Sequence, residues 1–295
     1  MSAPVRMTAP AKVNLALHVT GRRQDGYHLL ESLVAFTGHG DLIEIEDALE
    51  DEIVVSGHYA AQVPLGGDNL VARARDLLRD KAGGDARAPV RLHLEKNLPI
   101  ASGIGGGSSD AAAALRLLVD HWALDMREEE LLALGLRLGA DVPMCLAARP
   151  LVARGIGEAI EALPHFPTLP MVLVNPNLPL ITADVFSVLE CRDNAPLPEL
   201  EPLHDVETAT SWLSLARNDL EGPARQLVPQ ISDILDELAG NGATTARMSG
   251  SGATCFGIFS SQSEAERAGA HLQEARPEWF VMTTHTHAAE ASHGG

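Results

Sequence analysis

Residues 98–110 read Leu-Pro-Ile-Ala-Ser-Gly-Ile-Gly-Gly-Gly-Ser-Ser-Asp, and the alanine run Ala111–Ala114 follows directly. Four of the five positions from Gly103 to Gly107 are glycine. Such a run strips side chains from a loop and lets its amides converge on an anion. Ser108 or Ser109 is expected to cap the helix behind it, so the loop delivers a phosphate to a helix N-terminus. Two known glycine loops are excluded. A Walker A loop needs lysine after its last glycine, and the chain has no Gly-Lys pair. A dinucleotide fingerprint counted from Gly103 needs glycine at its sixth position, where Ser108 stands. A flexible linker is the plainer alternative, but linkers do not run straight into an alanine-rich helix.

Around this loop the pattern alternates between strand and helix. Val13, Leu15, Leu17 and Val19 face one way and Lys12, Asn14, Ala16 and His18 the other, which predicts a strand with one buried face. Gly21–His28 reads as a turn; Leu33–Phe36, Asp41–Glu46, Ile53–Ser56 and Val90–Glu95 read as strands. Asp68 is placed to cap a helix that ends at Gly83-Gly84. Asp125 and Glu128 suggest a capping box for a helix reaching Leu138, and Gly139–Pro143 a turn. Further on come a strand at Val172–Val174, a loop at 192–206 and a helix from Pro229. Ala246–Thr254 is a second glycine-rich turn. A strand at Cys255–Phe259, a helix at Glu264–Ala275 and a strand at Phe280–Thr284 follow. From His285 the tail is small and polar and is expected to fray. This order suggests an α+β fold of two lobes.

Composition narrows the partners. Forty acidic residues against 22 basic ones give a formal charge of −18 over 295 residues. A broad basic surface for nucleic acid is therefore not expected, whereas backbone amides can hold a small phosphorylated ligand at any net charge. No apolar run approaches the length of a membrane span, and no signal peptide is expected. Three scattered cysteines, Cys145, Cys191 and Cys255, fit a reducing cytoplasm better than a disulfide framework. His285, His287 and His293 lie in the tail and suggest no metal site.

Three segments in order carry a resemblance. Pro99–Asp110 resembles the phosphate loop of the GHMP kinase superfamily. Pro10-Ala11-Lys12-Val13-Asn14-Leu15 resembles its first motif and Met248-Ser249-Gly250-Ser251-Gly252-Ala253 its third. Gly21–Ser32 and Gly139–Pro143 are similar to one branch of that superfamily, whose substrate is a cytidine diphosphate joined to a methylerythritol unit. The resemblance implies the two-lobed GHMP kinase fold, with residues 1–160 and 161–285 as the lobes, the active site in the cleft between them and 286–295 as a flexible tail. It implies transfer of the γ-phosphoryl of ATP, with Mg2+ accompanying the nucleotide, to the 2-hydroxyl of the methylerythritol unit in the non-mevalonate isoprenoid route. The partner is then a small molecule, with no nucleic acid, membrane or obligate protein partner.

Site residues follow from the same resemblance. Asp141 is implied as the base, a carboxylate able to accept the alcohol proton; fixing the turn is the commoner use of such an Asp. Lys12 is implied as the cation that holds Asp141 ionised and offsets charge on the transferring phosphoryl; a solvated edge lysine is the alternative. Asn14 shares its face and is suited to orienting the base or the hydroxyl. Tyr27 and His28 are implied to bind the cytosine by stacking and by hydrogen bonding, with Phe186 as a second ring; core packing suits Phe186 equally well. Asn69, Leu70 and Lys96 are implied beside the nucleotide, with the loop residues Pro99, Ile100, Ala101, Ser102, Gly103, Ile104, Gly105, Gly106, Gly107, Ser108 and Ser109. For Asp110 the helix dipole is reason enough. Three rival functions remain open at this stage: a superfamily kinase for another alcohol, a decarboxylase that activates a leaving group by phosphorylation, and a nucleotide sensor without turnover.

Overall fold

The strand expected at residues 12–19 runs from Val5 to Arg22 (β1), and it is buried on both faces over most of its length. The computed structural model describes residues 4–64, 66–84 and 87–289. After β1 come β2 (His28–Asp47), β3 (Glu52–Ser56), α1 (Leu70–Lys81), β4 (Val90–Glu95) and α2 (Gly106–His121). Then follow α3 (Glu128–Leu138), α4 (Val142–Ala147), β5 (Leu151–Gly155), β6 (Ala159–Ala162), β7 (Pro170–Asn175), α5 (Thr182–Ser187) and α6 (Val206–Leu215). The chain ends with α7 (Glu221–Leu227), α8 (Gln230–Gly240), β8 (Thr245–Met248), β9 (Cys255–Ile258), α9 (Gln262–Ala275) and β10 (Phe280–His285). This is the α+β class that the pattern suggested.

Two compact units interleave along the sequence instead of dividing at one cut. The first runs to Ala11 and then takes His39–Ile100 and Gly105–Ala148. The second takes Lys12–Gly38, Ala101–Ile104 and the chain from Arg149 onward. The physical reason is the length of β1 and β2, each of which contributes residues to both units.

In the first unit, Leu42–Asp47 of β2 pairs antiparallel with β4, and β3 lies parallel to β4 on its other side. Helices α1 to α4 pack on one another, α2 touching the other three. Leu33–Phe36 and Asp41–Glu46 belong to one strand, not two. Gly40 within this strand serves close packing: a Cβ there would run into the Ala9 carbonyl.

In the second unit, Leu30–Val34 of β2 pairs with β5, and β5 with β6. A separate antiparallel sheet has the order β10-β7-β9-β8. Its core joins Val172, Val174, Cys255 and Phe259 to Ile231, Ile234 and Leu238 of α8 and Leu272 of α9. These helix residues recur at the spacing of one buried face.

Several local expectations change. Asn69, not Asp68, caps α1, accepting from the amides of Val71 (2.8 Å) and Ala72 (3.3 Å). At α3 the N-cap is Arg127 rather than Asp125, and no reciprocal box forms: Glu130 accepts from the Arg127 amide at 3.4 Å, but a guanidinium has no acceptor to return the bond. Gly139–Pro143 leads into the short helix α4, with proline in its first turn, where the missing N–H costs nothing. Residues 286–289 are not frayed. Thr286 is fully buried and exchanges hydrogen bonds with Leu169, while the His287 amide donates to the Phe36 carbonyl at 2.7 Å. His293 lies outside the described residues.

Candidate active site

In the first unit the end of the glycine loop, from Gly105, opens α2. Gly105 is the N-cap with φ 63°, a left-handed conformation that favours glycine, and no side chain caps the helix. The expected serine cap is absent because the helix begins at Gly106, before either serine. Ser109 Oγ instead donates to the Pro10 carbonyl at 2.7 Å. The first-turn amides of α2 thus remain without a side-chain cap, which is the arrangement that binds anions. A Cβ on Gly107 would lie 3.4 Å from Leu70, so the start of α1, with Asn69 and Leu70, stands beside the loop.

Lys96 is not a surface lysine. It is 3% exposed, and its ammonium makes ion pairs with Asp41 and, at 2.7 Å, with Asp110. Burial alone would lower its pKa; the two carboxylates outweigh that and raise it. Burial pushes the Asp110 carboxyl up to about 8, with Lys96 opposing and the charge of Asp41 adding to the rise. Asp110 Oδ1 is buried with no hydrogen-bond partner among the described residues. Asp141 is the half-buried N-cap of α4, with φ −83° and ψ −17°.

The second unit gathers segments of all three motifs. Lys12 is 5% exposed, and its amide donates to the Ile104 carbonyl at 2.8 Å. The polar face of β1 is therefore an interior face: Asn14 is 5% exposed and His18 fully buried. Asn14 Nδ2 donates to Ser32 Oγ at 2.7 Å. Ser249 Oγ accepts from the Asn14 amide and donates to the Gly103 carbonyl, both at 3.0 Å. The Thr254 amide donates to the Ser102 carbonyl at 3.1 Å. Gly103 has φ 77°, and a Cβ there would meet the Ser249 carbonyl at 2.5 Å, so no other residue fits this contact.

A second cluster in this unit lines a cavity of about 720 Å3. Arg22, Tyr27, His28, Thr182, Phe186 and Arg192 stand on its wall. Tyr27 is 62% exposed, leaving its ring open to a ligand. His28 and Phe186 are stacked, with ring centroids 4.6 Å apart and planes at 15°. No base fits between these two rings, so a base would stack on Tyr27 or on the far face of Phe186. Burial, then Arg22 and Arg192, lowers the His28 pKa below its ordinary 6.5, and Nε2 is buried without a partner among the described residues.

Sequence reasoning missed Asp41, Asn218, Arg22 and Arg192. Asn218 Nδ2 donates to the carbonyls of Met248 (2.8 Å) and Gly250 (2.9 Å), clamping the second glycine-rich turn. Nothing local marked it. Arg22 and Arg192 could have been found only by their closeness to Tyr27 and Phe186. Among the described residues no group of three His, Cys, Asp or Glu side chains is placed to hold a metal ion.

Comparison with known proteins gives a consistent result. Residues 69–149 match the family described as GHMP kinases N terminal domain, and residues 200–278 match GHMP kinases C terminal. A 4-diphosphocytidyl-2-C-methyl-D-erythritol kinase from Mesorhizobium japonicum is 55% identical over 283 residues, covering 96% of each chain. The enzyme of that name from Agrobacterium fabrum is 53% identical, covering 94% of this chain and 95% of its own. The crystal structure of a 4-(cytidine 5'-diphospho)-2C-methyl-D-erythritol kinase superposes with a TM-score of 0.80 at 33% identity, covering 96% of this chain and 99% of that one.

Proposed function

This chain belongs to the 4-diphosphocytidyl-2-C-methyl-D-erythritol kinases of the GHMP kinase superfamily, and on that premise we propose how its residues carry the reaction. It is an ATP-dependent small-molecule kinase that phosphorylates 4-diphosphocytidyl-2-C-methyl-D-erythritol in the non-mevalonate route to isoprenoid precursors. The acceptor in this reading is the 2-hydroxyl of the methylerythritol unit.

Phosphoryl transfer asks a protein mainly for positioning and charge stabilisation. The amides at the start of α2 hold the ATP phosphates, and Pro99–Ile104 bring the backbone there. Asn69 and Leu70, beside Gly107, flank the nucleotide; Lys96, turned inward, supports the loop rather than reaching the ligand. Tyr27 stacks on the cytosine, His28 hydrogen-bonds its edge, and Phe186 backs His28. Asp141 accepts the hydroxyl proton as the oxygen attacks the γ-phosphorus and the bridging bond to ADP breaks. Lys12 offsets the charge on the transferring group, and Asn14 orients the hydroxyl.

Magnesium accompanies ATP in this reading. The Ser109 hydroxyl is committed to Pro10, whereas that of Ser108, half-buried in the first turn of α2, offers a hard oxygen of the kind the ion takes beside phosphate and water. When bound, the ion neutralises charge on the phosphate oxygens. We place the enzyme in the cytoplasm on its scattered cysteines. No helix among the described residues is long and apolar enough to cross a membrane.

The observation that carries the function is the 53–55% identity to kinases of one name over nearly the whole chain. The test is mass spectrometry of the products formed from ATP and the cytidyl substrate. ADP and a singly phosphorylated substrate are expected. Free phosphate, a decarboxylated product or binding without turnover would overturn the reading, and preference for another alcohol would reassign the branch.

A further inference from the structure

Beneath the glycine loop lies a buried triad, Asp41, Lys96 and Asp110, that no step of the transfer uses. Asp41 of β2 is fully buried and ion-paired to Lys96 through Oδ2. Its Oδ1 accepts from the amides of Asn97 (2.5 Å) and Leu98 (2.8 Å), the residues that lead into Pro99. Lys96 in turn reaches Asp110 in α2, on the far side of the loop. A Cβ on Gly106 would stand 3.1 Å from Lys96 Nζ and 3.6 Å from Asp41 Oδ2, so the triad sits directly under the first turn of the helix. The backbone of Lys96 is fixed as well: its amide donates to Ser56 at 2.7 Å and its carbonyl accepts from Tyr59 at 3.1 Å.

One carboxylate therefore grips the chain on its way into the loop and, through one ammonium, the helix on its way out. We infer that Asp41 is a positioning residue for the ATP phosphates, tying both ends of the glycine loop so that its amides keep a fixed aim. This inference rests on the reading of that loop as the phosphate site. The requirement is physical: amides converge on an anion only if the two ends of the loop hold their separation, and glycine supplies no rigidity of its own. A buried carboxylate that links three partners is a rigid anchor, because breaking any of its bonds leaves a buried charge unsatisfied.

The test is steady-state kinetics of Asp41→Asn for both substrates. The amide can still accept from Asn97 and Leu98, but it turns an N–H toward the Lys96 ammonium and breaks that link. The Michaelis constant for ATP should rise about tenfold while that for the cytidyl substrate stays within about twofold. If Asp41→Asn does not fold, the charge-balanced pair Asp41→Asn with Lys96→Met cuts the same link and keeps an acceptor at position 41 for the two amides. The same split is expected there. Gly105→Val serves as the control. If it loses ATP affinity while the triad variants keep theirs, this inference falls and the loop assignment stands. If Gly105→Val also binds ATP normally, the loop assignment itself falls. Equal rises in both constants would mean a general structural role and would overturn the inference.

Discussion

The Asn14 amide donates to the Ser249 hydroxyl at 3.0 Å across 235 positions of sequence, and that hydroxyl in turn donates a hydrogen bond to the Gly103 carbonyl. One fully buried serine thus joins the first strand, the glycine loop and the second glycine-rich turn. Ser249→Ala strands a buried donor and a buried acceptor together. It should cost about 2 kcal/mol, since each unsatisfied buried group costs about 1–3 kcal/mol before relaxation. Urea denaturation at equilibrium measures it; a change under about 0.5 kcal/mol, the scale of an ordinary surface substitution, would show the bridge to be incidental.

Tyr27 exposes most of its ring on the wall of the large cavity. Stacking one base on an aromatic side chain is worth about 1–3 kcal/mol, so Tyr27→Ala should raise the Michaelis constant for the cytidyl substrate roughly 5–150-fold. The constant for ATP should not follow. Parallel changes in both would remove Tyr27 from base recognition.

His28 should act as a neutral imidazole. Burial and the nearby guanidinium groups of Arg22 and Arg192 hold its pKa below 6.5, so it stays uncharged down through that pH. Affinity for the cytidyl substrate should be flat from pH 8 to about 6.5 and weaken only below it. Arg192→Met removes one of the cations and should move the inflection upward. An inflection above 6.5 in the wild type would contradict this account.

Asp110 makes stability depend on pH. Its folded carboxyl holds a proton up to about 8, against 3.8 for the unperturbed group. Between those values the folded state binds the extra proton, so stability falls as pH rises through the window. Asp110→Asn keeps an acceptor for Lys96 without the ionisable group. Its stability advantage over wild type should grow from pH 5 to pH 8 in paired thermal melts. A constant difference would show that the carboxyl is already ionised at pH 5.

The legible and illegible parts of this chain divide by range. The glycine loop was readable because Gly103 and Gly105 both meet a local demand, a left-handed φ. The faces of α8 were readable because Ile231, Ile234 and Leu238 repeat at helical spacing. Lys12, Asn14 and His18 were read as one open face of a strand, since alternation reports polarity and not what covers it. Gly40 carries no signal, because the Ala9 carbonyl that demands it lies on another strand. Asp41 carried no signal at all: its partners Lys96 and Asp110 are 55 and 69 positions distant, and an acidic residue at a strand end is ordinary. Phe186 left two readings open, and the structure sets it against His28.

In the proposed reaction Asp141 takes the proton of the acceptor hydroxyl. Asp141→Asn keeps the shape of the side chain and the start of α4 while removing the charge and the proton acceptor. The most direct test is single-turnover phosphoryl transfer with both substrates bound and their affinities measured separately. Transfer should slow by about 10²–10⁴-fold with binding nearly intact. Transfer at close to the wild-type rate would contradict it.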